Sequence, residues 1–230
     1  MDDLRMRQAT IRSRAFSLVK RNPQPGFDFS WSMRQLVADM IVRTPELQHI
    51  DLSRMAVAVA QARKDVPYGI FASLTPLRFE GGSPTTTRRG RTYRVQRLAD
   101  ERGREMLYIL TFYLPRFMDL DFQEKLITIF HELWHVSPKF DGDIRRLPGR
   151  CYAHSHSQKE YDEQMGVLAN KYLMTAPLRN LYQFLELNFA QLHQQFGRVY
   201  GIKIPRPKME LVEKAPPKSK TTKTRRRKTG

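Results

Sequence analysis

Residues 131–135 read His131-Glu132-Leu133-Trp134-His135, and this stretch carries more chemical information than any other in the chain. Two imidazoles four positions apart on a helix stand one turn above each other on the same face, close enough to share a metal ion. A carboxylate at the position after the first histidine can reach a water held by that metal. The chemistry implied is metal-assisted hydrolysis, most often of a peptide bond. The surroundings support a site rather than a chance match. Positions 126 to 136 contain no proline, no glycine and no charged residue except Glu132, so both histidines lie in an otherwise apolar segment. Clustered polar groups in such a segment need a partner, and a metal is the natural one.

A catalytic zinc takes three protein ligands and leaves a fourth position open. Two come from the motif, so the third must come from elsewhere. His154 and His156 lie just before a predicted helix that Ser157 can cap, a placement that fixes a loop residue in space. His156 is the favoured third ligand and His154 the next. A ligand six residues past the second histidine would be Asp141, but the turn-forming glycine of that arrangement is replaced by Pro138. A ligand glutamate on the following helix would be Glu160 or Glu163, while Asp162 or Glu163 could instead accept from a ligand histidine. Each of these carboxylates, taken singly, reads better as a solvated helix residue. Tyr152, Tyr161, Arg145, Arg146 and Arg150 are near enough in sequence to steady an oxyanion, although helical tyrosines are more often core. Cys151 reads as a small packed residue.

The elements that must position these groups follow from periodicity and punctuation. Residues 1–26 form a basic segment, with Leu4, Ile11, Phe16 and Leu18 among six arginines and lysines, that predicts a short helix ended by Pro23 and Pro25. The folded domain is expected over 27–204. A helix capped by Ser30 carries Trp31, Leu36, Val37, Met40 and Ile41 and stops at Thr44-Pro45. Met55–Ala60, Tyr68–Leu74 and Thr92–Leu98 read as strands, and Met106–Leu114, rich in Tyr, Phe, Ile and Thr, is the clearest strand. Asp119 or Asp121 can cap the motif helix. A later helix carries Tyr161, Met165, Leu168, Ala169 and Tyr172 on one face, and a last one runs from about 178 to 196, ended by Gly197 or Gly201. From 205 to 230 the chain is Pro- and Lys-rich and reads as a basic, disordered tail.

The chain has 230 residues, 40% apolar and 27% charged, which suits one soluble domain with appendages. No run is apolar and long enough to span a bilayer, the start lacks a secretory core, and Cys151 is the only cysteine, so a cytoplasmic location is expected. The net charge is +17; removing the seven cations of residues 215–230 still leaves +10. Such a field favours polyanions, DNA or RNA above all.

The order of strands, motif helix, loop, histidine and helix resembles the zincin metallopeptidases. Within them, Phe130-His-Glu-Leu-Trp-His-Val-Ser-Pro-Lys-Phe-Asp-Gly142 is similar to the phage metallopeptidase family, whose motif is followed by a Pro-x-Phe-Asp-Gly segment. His156-Ser-Gln-Lys-Glu-Tyr161 more distantly resembles SprT-like proteases, where a ligand histidine precedes a helix bearing an aromatic; here the aromatic falls one place later. The resemblance covers roughly residues 30–175 and implies an α+β zincin-like fold with a small mixed sheet, one Zn2+ held by His131, His135 and His156, and peptide-bond hydrolysis by a zinc-bound water that Glu132 activates. The strand at 106–114 would then offer an edge to an extended substrate. The charge extends this expectation to substrates associated with DNA. Two other classes fit parts of the sequence: a nucleic-acid-binding protein whose zinc is structural, and a regulator that acts by binding through the helix at 178–196.

Overall fold

Period-2 and period-3.6 patterns give a mixed α+β chain whose main sheet is built around the apolar run before the motif helix. The structure is a computed structural model and describes residues 16–17, 24–62, 69–146 and 158–214. The first part of the chain gives β1 (Phe16–Ser17), β2 (Phe27–Asp28), α1 (Phe29–Arg43), β3 (Met55–Gln61) and β4 (Ala72–Pro76). Next come β5 (Thr85–Arg88), β6 (Arg91–Val95), β7 (Leu98–Ala99), β8 (Tyr108–Leu114) and the motif helix α2 (Phe122–Trp134). The remainder gives α3 (Gln158–Met174), α4 (Arg179–Tyr182), α5 (Phe189–Phe196), β9 (Val199–Tyr200) and β10 (Met209–Lys214).

The main sheet has the order β3-β8-β4. Strand β3 runs parallel to β8, from Met55 opposite Tyr108 to Gln61 opposite Leu114, and β4 runs antiparallel on the other side. Met55, Val57 and Val59 of β3 and Tyr108, Leu110 and Phe112 of β8 turn to one face. There they meet Met33, Leu36 and Met40 of α1 and Leu126, Ile129, Phe130 and Leu133 of α2. The alternate residues Ala56, Ala58 and Ile109 pack on the other face with Leu77, Leu98 and Met106. Burial on both faces explains why β8 reads as a continuous apolar run. It also corrects an expectation: β8 is central, and the outer strands are β3 and β4, of which β4 faces the motif helix.

Helix α2 begins where the sequence places it. Asp121 Oδ1 accepts from Glu124 N at 2.7 Å, and Glu124 Oε2 accepts from Asp121 N at 3.3 Å, a reciprocal cap. Lys125 is 2% exposed, and its ammonium donates to the carbonyls of Leu185 and Leu187, each at 2.9 Å. Those two carbonyls turn away from helical bonding to meet it, and Asn188 starts a fresh cap with Gln191. The helix expected over 178–196 is therefore broken into α4, a 3-10 turn (Gln183–Glu186) and α5. Gly197 ends α5 with φ 73°, as expected.

Other differences have local causes. The first long helix is capped by Asp28, whose Oδ1 accepts from Trp31 N at 2.9 Å; Ser30 is buried and its Oγ accepts from Ile202 N instead. Of the predicted N-terminal helix, Phe16 and Ser17 are extended and pair with Leu98 and Ala99, and the rest lies outside the described residues. Part of the expected tail is folded too. Strand β10 pairs antiparallel with β6, with Arg94 bonded to Glu210 at 2.9 Å, in a second sheet of order β10-β6-β5. Residues 215–230 lie outside the described residues. Among those described, no helix is long and apolar enough to cross a membrane.

Candidate active site

His131 and His135 face each other across one turn of α2, with ring centroids 4.8 Å apart and planes at 76°. His135 is the C-cap, yet its φ −68° and ψ −14° keep it in helical register, so the i, i+4 relation survives at the helix end. The carbonyls there do not fray. Arg145 Nε donates to Trp134 O and Arg145 N to His135 O, both at 2.7 Å. The same guanidinium lies 4.1 Å above the Trp134 ring. A cation over an aromatic face at a helix C-terminus satisfies both the ring and the orphan carbonyls.

Helix α3 closes the other side. Tyr161, 2% exposed, sets its ring 4.8 Å from that of His131 and 6.0 Å from that of His135, nearly parallel to the latter at 18°. The aromatic that falls late against the SprT-like pattern thus packs on both motif histidines. Asp162, the next residue, brings Oδ1 to 3.5 Å from His131 Nδ1. A carboxylate on one ring nitrogen directs the other nitrogen to a ligand, the usual outer arrangement of a metal-binding imidazole.

Glu132, on the same turn, reaches towards β4. Its Oε2 accepts from Leu74 N at 2.7 Å. The register explains why this donor is available. Phe71 O and Leu77 N bond to Tyr113 N and Leu107 O, so odd-numbered residues of this segment turn to β8. By the alternation of an antiparallel ladder, the backbone groups of Ala72 and Leu74 then face outward. Burial pushes the Glu132 carboxyl up to about 7, against the opposing pull of the Leu74 N–H. Between β4 and α2 lies a cleft of ≈ 610 Å³, bordered by Ile70, Phe71, Ala72, Thr128, His131 and Glu132.

The loop after α2 is pinned by a second carboxylate. Asp143, 5% exposed, accepts from Gly81 N at 3.0 Å, from Ile144 N at 2.8 Å and from Arg146 Nε at 2.9 Å. Burial alone would raise its pKa, but these bonds outweigh that and hold it below the ordinary carboxylate value. The Tyr108 hydroxyl donates to Asp143 O at 2.8 Å and accepts from Gly142 N at 2.9 Å, fastening the same loop to β8. Gly142 has φ 90°, and a Cβ there would collide with Arg78 Cγ, so this position requires glycine.

The remaining candidates divide clearly. His154, His156, Tyr152, Cys151 and Arg150 lie outside the described residues, as does the side chain of Glu160. Glu163 is exposed. Asp141 is turned into its own loop, where Oδ1 accepts from Asp143 N at 3.2 Å and the side chain abuts Gly82. Arg145 is committed to Trp134, and Arg146 to Asp143. Among the described residues, no group of three His, Cys, Asp or Glu could hold a metal. The two histidines and the carboxylate beside them suit a divalent cation in donor type and placement, with the third donor to come from outside those residues. Sequence reasoning missed the Leu74 amide and Asp143. A backbone donor leaves no trace in residue type, whereas Asp143 follows the noticed Phe140-Asp141-Gly142 segment directly. No protein-family model, curated protein or solved structure matches this chain.

Proposed function

We propose that this chain is a zinc-dependent metallopeptidase. The observation that carries the reading is the grouping on one helical turn: two paired imidazoles, and beside them a partly desolvated carboxylate that lines the same cleft as His131 against an edge strand. His131 and His135 would hold the metal, with His156 the favoured third donor. When bound, the cation supplies Lewis acidity to a peptide carbonyl and to a water. Glu132 does the proton work. Burial brings its affinity for a proton near neutrality, where a group can take a proton from water and return it to a leaving amine. The outward backbone groups of Ala72 and the carbonyl of Leu74, whose N–H is taken by Glu132, are those with which an extended peptide can pair as an added strand. Tyr161 holds both imidazole planes, and Asp162 favours one tautomer of His131.

The test pairs metal content with turnover on an unstructured protein substrate such as casein. Glu132→Gln should retain zinc and lose about 10²–10⁴-fold in rate. His131→Ala and His135→Ala should lose both, and His154→Ala compared with His156→Ala identifies the third donor. Wild-type cleavage by Glu132→Gln would overturn the mechanism. A zinc-loaded wild-type chain that cleaves nothing while binding nucleic acid would favour a structural metal instead.

A further inference from the structure

Strand β3 turns one row of backbone groups to β8 and the other outward, and the register says which is which. Ala62 N donates to Leu114 O at 2.9 Å, so the even-numbered residues bond across to β8. The odd-numbered residues turn out. Met55 N is taken by Leu52 O, Met55 O accepts from Arg34 Nη1 at 3.0 Å, and Val59 N donates to Ile202 O at 2.8 Å. Between these covered positions Val57, 4% exposed, turns its N–H and C=O outward with no partner among the described residues. Buried backbone groups are nearly always paired, so this gap of one residue in the sheet edge calls for an occupant.

The gap opens into a cavity of ≈ 210 Å³ that Arg34 and Arg104 also line. Among the described residues, Arg34 makes a single hydrogen bond, to Met55 O, and no carboxylate meets it. Burial, and then the charge of Arg104, lowers its pKa, with Asp51 opposing. The two carboxylates in the cavity wall are engaged elsewhere. Asp100 accepts from Arg102 N, Arg104 N and Arg104 Nε, which leaves the terminal nitrogens of Arg104 for a ligand. Asp28 caps α1 through Trp31 N. A half-buried guanidinium with no acid facing it is unfavourable, and a bound anion offsets that cost.

We propose that this cavity binds the free α-carboxylate end of a peptide or amino acid. The terminal residue lies against Val57 as an antiparallel strand one residue long. Its N–H donates to Val57 O, and one carboxylate oxygen accepts from Val57 N–H. Run in that direction, its C-terminus points towards Met55, where Arg34 stands, and the second oxygen meets the two guanidiniums. Their planar forks suit a carboxylate. A parallel strand would carry the carboxylate towards Ile202 instead, away from Arg34. Ile202 on Val59 also stops a longer strand from pairing, so only the terminal residue is held. The cavity is small beside the roughly 300–1,000 Å³ usual for larger ligands, which agrees. A simple oxyanion such as sulfate satisfies the arginines but offers no donor to Val57 O. The site lies on the far edge of the sheet from β4 and is separate from the motif helix chemistry.

Amide-resolved NMR of the full chain, titrated with the tripeptide Gly-Gly-Ala, reads the site at Val57 itself. The Val57 N–H and Arg34 Nε–H resonances should shift together and saturate. Gly-Gly-Ala amide should bind about 10–100-fold more weakly than the acid, and so should the acid to Arg34→Gln or Arg104→Gln. The amide comparison uses the wild-type chain, so the test stands even if Arg34→Gln does not fold. Free alanine separates the two sources: binding as tight as the tripeptide assigns the site to amino acids, and weaker binding assigns it to peptide ends. No turnover is measured and alanine has no bond to cleave, so the outcome is separate from the peptidase reading. Acid and amide binding alike would overturn the proposal. Sulfate binding as tightly as the tripeptide, or shifts that gather away from Val57, would overturn it equally.

Discussion

Replacing Glu132 by glutamine removes one ionisable group from the space between β4 and α2, and its effect on stability can be worked out in advance. Burial moves this carboxyl from an ordinary 4.5 up to about 7, with the Leu74 N–H opposing. At about 1.4 kcal/mol per pKa unit, the difference amounts to about 3 kcal/mol. The sign follows from proton counting. Below pH 4.5 both folded and unfolded chains hold the proton, and the residue costs nothing. Between 4.5 and about 7 the unfolded chain releases its proton while the folded one keeps it, so stability falls as pH rises. Above about 7 the whole penalty is present.

Glutamine keeps an oxygen for the Leu74 N–H and has no charge to desolvate. Metal-free Glu132→Gln should therefore match the wild type at the acid end and exceed it by about 3 kcal/mol above neutrality, roughly 6–12 °C in Tm for a chain of this length. Denaturant melts of both proteins in chelator, from about pH 5 to about pH 8, make the comparison. Saturating zinc should flatten the wild-type dependence, because a dication nearby favours the carboxylate. A gap between the two proteins that stays constant with pH would refute the reasoning, since it would mean that Glu132 titrates alike in both states.

Lys125→Met removes the ammonium that donates to Leu185 O and Leu187 O and leaves one buried and one half-buried carbonyl without it. The expected cost is roughly 2–4 kcal/mol, read as a lower denaturation midpoint; a negligible change would show that the break before α5 does not depend on this lysine. Gly142→Ala forces a side chain into φ 90° and against Arg78, so it should destabilise by more than about 1 kcal/mol. Amide exchange confined to 137–145 should rise with it, and unaltered protection there would count against the pinning of that loop.

Local signals in the sequence placed the elements around the motif correctly. The motif helix, its Asp121 cap and the stripe from Tyr161 to Tyr172 all rest on spacings within a few turns, which the chain encodes directly. The strand before the motif was equally plain, because burial on both faces leaves an uninterrupted apolar run. Whether that strand was central or at an edge was not legible, since pairing is decided by partners fifty residues away. The same limit hid β10: Met209–Lys214 looks like the start of a polar tail until β6 supplies its hydrogen bonds. The break at Leu187 answers to Lys125, and Ser30 was drawn away from capping by Ile202, both demands from distant chain. The third metal donor expected at His156 lies beyond the described residues.

Asp143 gives the loop between the motif helix and α3 an unusual neighbour. Its carboxylate grips Gly81, three residues ahead of the proline that leads into β5, as well as Ile144 and Arg146 behind the histidine helix. The root of the β5–β6 hairpin and the carbonyl end of the motif helix are consequently moored to a single bollard. Neither can be displaced far without tugging on the other, and a substitution at Asp143 should loosen the hairpin and the end of the motif helix together.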